Sequence, residues 1–182
     1  MNIETRVITG KVRLSFINVF TPKQTEEGGK AKYGTAILIP KSDKETVKKI
    51  KDAIEAAKIK DKDKIANKAG NIPGDLKTPL NDGDLKADTY PEMEGHWIIN
   101  AFSARRPVVV DRAKAPLTED DDAIYSGVYA RVALNFYGYN VKNKGIAAGL
   151  EAIQKLADGE RLGGGAVSVD VFDDLDNDDD LL

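Results

Sequence analysis

The longest alternation of polar and apolar positions runs from Tyr125 to Tyr139. Val128, Ala130, Val132, Leu134 and Phe136 recur at every second position, the repeat of a strand with one face in a core. The opposite face carries Tyr129, Arg131, Asn135, Tyr137 and Tyr139, where a merely solvated strand would show Lys, Glu, Thr and Ser. Large outward-facing aromatics need a partner. A second alternation covers residues 6–20. It sets Val12, Leu14 and Phe16 toward the core against Lys11, Arg13 and Ser15, with Gly10 as a bulge or bend. Lys32 to Pro40 is a third strand, whose Ala36-Ile-Leu-Ile39 run can lie in a core and which Pro40 ends. Trp97–Ala101 and Pro107–Asp111 read as further strand segments, with Trp97 packing inward.

Helical spacing occurs early and late. Ser42 with Glu45 forms a capping box, and Val47, Ile50, Ala53, Ile54 and Ala57 then make one apolar face. Lys48, Lys49, Lys51 and Glu55 take the solvated side, and a weaker helical stretch follows at Lys62–Ala69. Ile146, Leu150 and Ile153, with Glu151 four residues before Lys155, predict a last helix over Gly145–Ala157, stopped by Gly159. Residues 21–30, 70–95 and 112–123 carry turn and loop chemistry, and Gly163–Gly165 reads as a hinge before a short 166–171 strand or linker. The pattern is α+β and mainly β, a small antiparallel barrel with one or two accessory helices and long loops.

Composition changes this picture little, and charge changes it more. The chain has 182 residues, enough for one domain plus a tail, and 41% hydrophobic content suits a packed body. The absence of Cys removes disulfides, thiolate metal sites and a Cys nucleophile. Met1 to Arg6 lack the basic and apolar regions of a signal peptide, and no apolar run approaches the length of a membrane span. Seven of the last thirteen residues, Asp170 to Leu182, are Asp, and none is Lys or Arg. Such a run cannot offset its ordering entropy with apolar burial. With those seven acids set apart from the 30, 23 remain against 27 Lys plus Arg, and net −3 becomes +4. A mildly basic body suits a polyanion, and the tail competes with one or imitates one.

Candidate chemistry is sparse. Gly28-Gly-Lys-Ala-Lys-Tyr-Gly34 is not a phosphate loop, because Gln24 stands where its first Gly belongs. His96 is the single histidine and reads as a packing or surface residue. Asp82 with Asp84, and Glu119–Asp122, could be offered as carboxylates for a metal-dependent nuclease, but each reads more simply as an acidic loop. We therefore expect no catalytic residue, no metal and no cofactor. What the chain does supply is basic groups interleaved with aromatics, the means by which single strands are held through phosphate neutralisation and base stacking. The candidates are Lys11, Arg13, Lys30, Lys32, Tyr33, Phe102, Arg105, Arg106, Tyr129, Arg131, Tyr137 and Tyr139.

One block is distinctive: Tyr125-Ser-Gly-Val-Tyr-Ala-Arg-Val-Ala-Leu-Asn-Phe-Tyr-Gly-Tyr-Asn140, followed by Asn143-Lys-Gly-Ile-Ala-Ala-Gly-Leu150. With Arg106-Pro-Val-Val-Val-Asp111, Lys41 after Ile37-Leu-Ile-Pro40, and Gly159-Glu-Arg-Leu-Gly-Gly164, it resembles a tailed-phage family of single-stranded DNA-binding proteins. The resemblance spans nearly the whole chain and implies an OB-fold core with an acidic C-terminal tail. The expectation is an OB-fold-like domain at 1–165 and a flexible tail at 166–182. The protein would coat single-stranded DNA without catalysis, in phage replication or recombination, in the cytoplasm of an infected bacterium. Phe172, Asp178, Asp179, Asp180, Leu181 and Leu182 would serve as a handle for replication or recombination proteins, and a homodimer is among the assemblies the sequence allows. The rivals are the nuclease above and an acidic mimic of DNA.

Overall fold

A computed structural model describes residues 4–24 and 28–162. The acidic tail, the 163–165 hinge, the 166–171 segment and the domain boundary at 165 lie outside the described residues. The elements are β1 (Arg6–Ile8), β2 (Val12–Lys23), β3 (Lys32–Pro40), α1 (Lys44–Lys60), α2 (Lys62–Ile65), β4 (Leu80–Asp82), β5 (His96–Ser103), β6 (Val108–Val110), β7 (Tyr129–Asn140) and β8 (Lys144–Ala157).

β7 pairs with β2, β2 with β3, β3 with β5, β5 with β8, and β8 with β7, so the pairings return to their starting strand. A circuit of five strands with this order is OB-like, and closure of this kind removes the exposed edges of an open sheet. One detail departs from the antiparallel barrel expected: β5 and β8 run parallel, as do β6 and β8. β1 and β2 lie along the same edge of β7, one strand broken at Gly10. At the break the Gly10 N–H turns to Thr46 Oγ1 of α1 at 2.9 Å, and the approach requires Gly, because a Cβ would come within 2.7 Å of the Asp43 carboxylate. Inside, Val12, Leu14, Ile37, Ile39, Ile99, Val132, Leu134, Phe136, Ile146 and Ile153 are fully buried. Ile50, Ala53, Ile54 and Ala57 of α1 and Ile65 of α2 join the same cluster. Gly138 lets the helices approach β7, donating its N–H to Asp61 at 2.7 Å where a Cβ would strike Asp61 and Ile65.

Three local expectations are corrected. The last element is a strand rather than a helix. Ile146, Ala148 and Leu150 keep a period of two, and Glu151 is an extra residue between the pairs Leu134–Leu150 and Ala133–Ala152. This bulge advances the inward face by one position and brings Ile153 into the core. Its spacing of four and then three therefore imitates a helical stripe. The α1 cap is Asp43, which accepts from the backbone N–H of Thr46 at 3.1 Å, while Ser42 sits in the turn before it. Phe16, which strict alternation sends inward, is 49% exposed, because β2 bulges between Ser15 and Asn18.

Candidate nucleic-acid interface

Paired residues on neighbouring strands point to the same side of a sheet, so register decides which candidates share a surface. On the outer face Gly34 of β3 pairs with Phe102 of β5, Phe102 with Gly149 of β8, and Gly149 with Asn135 of β7. The Phe102 ring lies over Gly34, where a Cβ would meet its Cδ1 at 2.6 Å. Tyr137, two residues along from Asn135, leans toward Gly149, where a Cβ would meet its Cε1 at 3.4 Å. Tyr139 pairs with Gly145, and its hydroxyl would lie 2.6 Å from a Cβ there. Each ring has a glycine for its neighbour, so bare backbone gives it room. Phe102 and Tyr137 remain 41% and 40% exposed.

Cations surround this end of the barrel. Lys32 shares the outer face of β3 with Gly34, Lys30 precedes it in the loop, and Arg105 and Arg106 follow β5. The side chains of Lys30, Lys32 and Arg105 have no partner among the described residues. Arg106 donates to the Phe20 carbonyl at 3.2 Å, which holds it near β2. Tyr33 is half-buried and has the parity of Thr35 and Ile37, so it lies on the other side of β3 from the Phe102 row.

The remaining candidates gather elsewhere. Tyr129 stands eight positions before Tyr137 on β7, roughly 27 Å along an extended strand. Its ring is covered by Lys11, with Nζ at 4.5 Å, and by Arg13, with Cζ at 5.3 Å. Arg13 also donates to the carbonyls of Gly127 at 3.0 Å and Glu160 at 2.5 Å. Arg131 is engaged by Gln154 Oε1 at 2.7 Å. Beside them Tyr125 lies under Arg161 at 4.3 Å and Lys155 at 5.6 Å. The Tyr125 hydroxyl donates to Asp158 at 2.8 Å and accepts from the Gly159 N–H at 3.0 Å. Lys155 first, and then Tyr125, hold the Asp158 carboxyl below its ordinary pKa. Leu162 closes the strap by donating its N–H to the Ser126 carbonyl at 2.9 Å. Residues 158–162 are thereby tied to the start of β7.

Four of the six carboxylates offered for a nuclease, Asp82, Asp84, Asp121 and Asp122, are engaged by the chain itself. Asp82 and Asp84 hold Lys41 between them at 2.6 and 2.7 Å, and Lys41 packs 4.8 Å from the Trp97 ring. The bond from Lys41 lowers the pKa of Asp82. The Gly95 N–H, followed by Lys41, lowers that of Asp84, and Lys41 itself is raised, chiefly by Asp82. Thr118 caps the Glu119–Asp121 turn and donates its N–H to the Asp121 carboxylate at 2.7 Å, and Asp122 pairs with Arg161 at 3.2 Å. No group of three or more His, Asp or Glu suited to a metal occurs among the described residues. Sequence reasoning missed the glycines under the aromatic rings and the strap at 158–162. A lone Gly inside an alternating strand, as at Gly34, is the signal that could have found the former, since it marks a close approach.

A family model described as the ssDNA-binding protein of Enterobacter phage Enc34 matches residues 5–182. Protein p50 of Acyrthosiphon pisum secondary endosymbiont phage 1 is 38% identical over 176 residues, covering 93% of this chain and 94% of the relative. Among solved structures, the single-stranded DNA-binding protein from bacteriophage Enc34 in complex with ssDNA is similar with a TM-score of 0.73. It is 28% identical, with 87% of this chain and 90% of that chain covered. The single-stranded DNA-binding protein gp2.5 encoded by bacteriophage T7 matches at a TM-score of 0.60 and 14% identity, over 92% of this chain and 99% of that one, a likeness of fold.

Proposed function

The chain belongs to the family of the Enterobacter phage Enc34 ssDNA-binding protein, and on that premise we propose that it binds and coats single-stranded DNA in the infected host cell. The observation that carries the reading is the row of exposed rings on glycine-lined backbone, Phe102 and Tyr137, beside Lys30, Lys32 and Arg105, whose side chains are unpartnered among the described residues. Bases stack on the rings and the cations neutralise phosphates, which requires no particular base and no chemistry on the strand. Tyr139 and Arg106 extend the same surface. In OB folds the outer face of the second and third barrel strands binds oligonucleotides, and β3 and β5 occupy those places here.

The protein acts without catalysis, in replication or recombination. The acidic segment 166–182 competes with DNA for the basic surface and offers Phe172 and Asp178–Leu182 to partner proteins. Titration of a fluorescent oligonucleotide tests the reading. We expect preference for single strands over duplex and a log–log salt slope of about −0.7 per phosphate neutralised. Equal affinity for duplex, or no binding at low salt, refutes it. Labelled DNA incubated with the protein and Mg²⁺ should stay intact.

A further inference from the structure

β2 pairs Ser15 with Ala36 and Asn18 with Gly34, so Phe16 and Ile17 together face the single residue Thr35. This is a bulge, and its first residue is Phe16 at φ 50°. That left-handed conformation is normally given to Gly at such a bulge, because a Cβ there is strained. Ile17 turns toward the core, while the Phe16 ring is left 49% exposed. It meets Tyr90 edge-to-face, with centroids 5.3 Å apart and planes at 86°. Tyr90 precedes the Pro91–Met93 turn, and Met93 is buried with Leu38 and Ile98. Those two residues pair on the outer face of β3 and β5, so the ring pair is anchored to that face.

We infer that Phe16 and Tyr90 form a further base-stacking step for single-stranded DNA, next along the surface from Phe102. The row Ser15–Ala36–Asn100 lies two residues from the row Asn18–Gly34–Phe102, a separation of about 7 Å. Asn100, in the first of these rows, is exposed, with an amide that can bond a base edge. Two rings at right angles make a corner in which a base lies on one ring against the other. A bulky residue in a strained conformation persists where function needs its side chain in that place. This inference rests on the single-strand reading above.

The test is the affinity and melting temperature of Phe16→Gly in the full chain. Gly relieves the strain and removes the ring. We expect about 5- to 150-fold weaker binding to oligodeoxythymidine, the range for one lost stacking platform, with a melting temperature equal to or above the parent's. Affinity within twofold of the parent overturns the inference. If the variant instead melts well below the parent, photo-crosslinking of the parent to bromodeoxyuridine-substituted oligonucleotide decides. Crosslinks in peptides holding Phe16 or Tyr90 support the step, and crosslinks confined to other peptides overturn it. A parent that fails to bind single strands at all would instead refute the wider reading of function.

Discussion

Two parts of the outer surface are built from the same residue types and differ in what those residues meet. Around Phe102 and Tyr137 the rings stand on glycines with open faces, and the nearby Lys30, Lys32 and Arg105 are unpartnered among the described residues. Around Tyr125 and Tyr129 the rings are covered by Lys11, Arg13, Lys155 and Arg161. There the cations have found their aromatic partners inside the chain, and the result is a clasp on residues 158–162. An aromatic beside a cation is therefore open to a ligand only where neither has been used by the fold.

The sharpest way to break this comparison is to remove rings from each part. Phe102→Ala with Tyr137→Ala should weaken single-strand binding about 30-fold or more, given roughly 1–3 kcal/mol per stacked base. Tyr129→Ala should leave affinity within about threefold. It should lower the melting temperature instead, because two cation–π contacts of about 0.5–1 kcal/mol each are lost with the ring. Equal losses of affinity from both changes, measured by anisotropy, would erase the distinction.

Substitution of the glycines comes next in size. Gly34→Ala places a methyl group 2.6 Å from the Phe102 ring and 2.9 Å from the Ala101 carbonyl, so backbone as well as ring must shift. We expect a cost of about 1–3 kcal/mol in denaturant unfolding, with weakened DNA binding as Phe102 is displaced. Gly149→Ala meets nothing closer than 3.3 Å and should cost less than about 1 kcal/mol.

Much of this architecture could be read from alternation alone. The inward set on β7 follows it residue by residue. It failed at Glu151 and Phe16, and for one reason. A bulge adds a residue without adding a pair, so parity reverses on its far side. The site was legible as an inventory and illegible as an arrangement. Nothing in the spacing of Tyr129 and Tyr137 says that Lys11 and Arg13 will be laid over one of them. That depends on β2 pairing beside β7, a contact across more than a hundred residues of sequence.

Salt dependence sharpens the contrast further. Arg105→Ala should reduce the magnitude of the log–log salt slope by about 0.7, the value for one phosphate contact on a single strand. Arg13→Ala should leave the slope unchanged, because its guanidinium is held by Gly127 and Glu160. A flatter slope in Arg13→Ala would move that residue back into the interface.

The smallest expected effect is a titration confined to the clasp. Lys155 and the Tyr125 hydroxyl favour the charged form of Asp158, so its folded pKa lies below the ordinary carboxylate value. A depressed carboxylate contributes stability that is present above the unfolded pKa, near 3.9, and is lost as pH falls through the lower folded value. Between neutral pH and about 5 the clasp should therefore be unchanged, and it should loosen only in stronger acid. In NMR spectra the Tyr125 ring and the Gly159 amide should shift together with an inflection below about 3.9, while the Phe102 and Tyr137 rings show no matching inflection. A common inflection at all four would mean that the two parts of the surface are coupled. Inflection of Tyr125 at the ordinary carboxylate value would mean that Lys155 and Tyr125 do not hold Asp158 in solution.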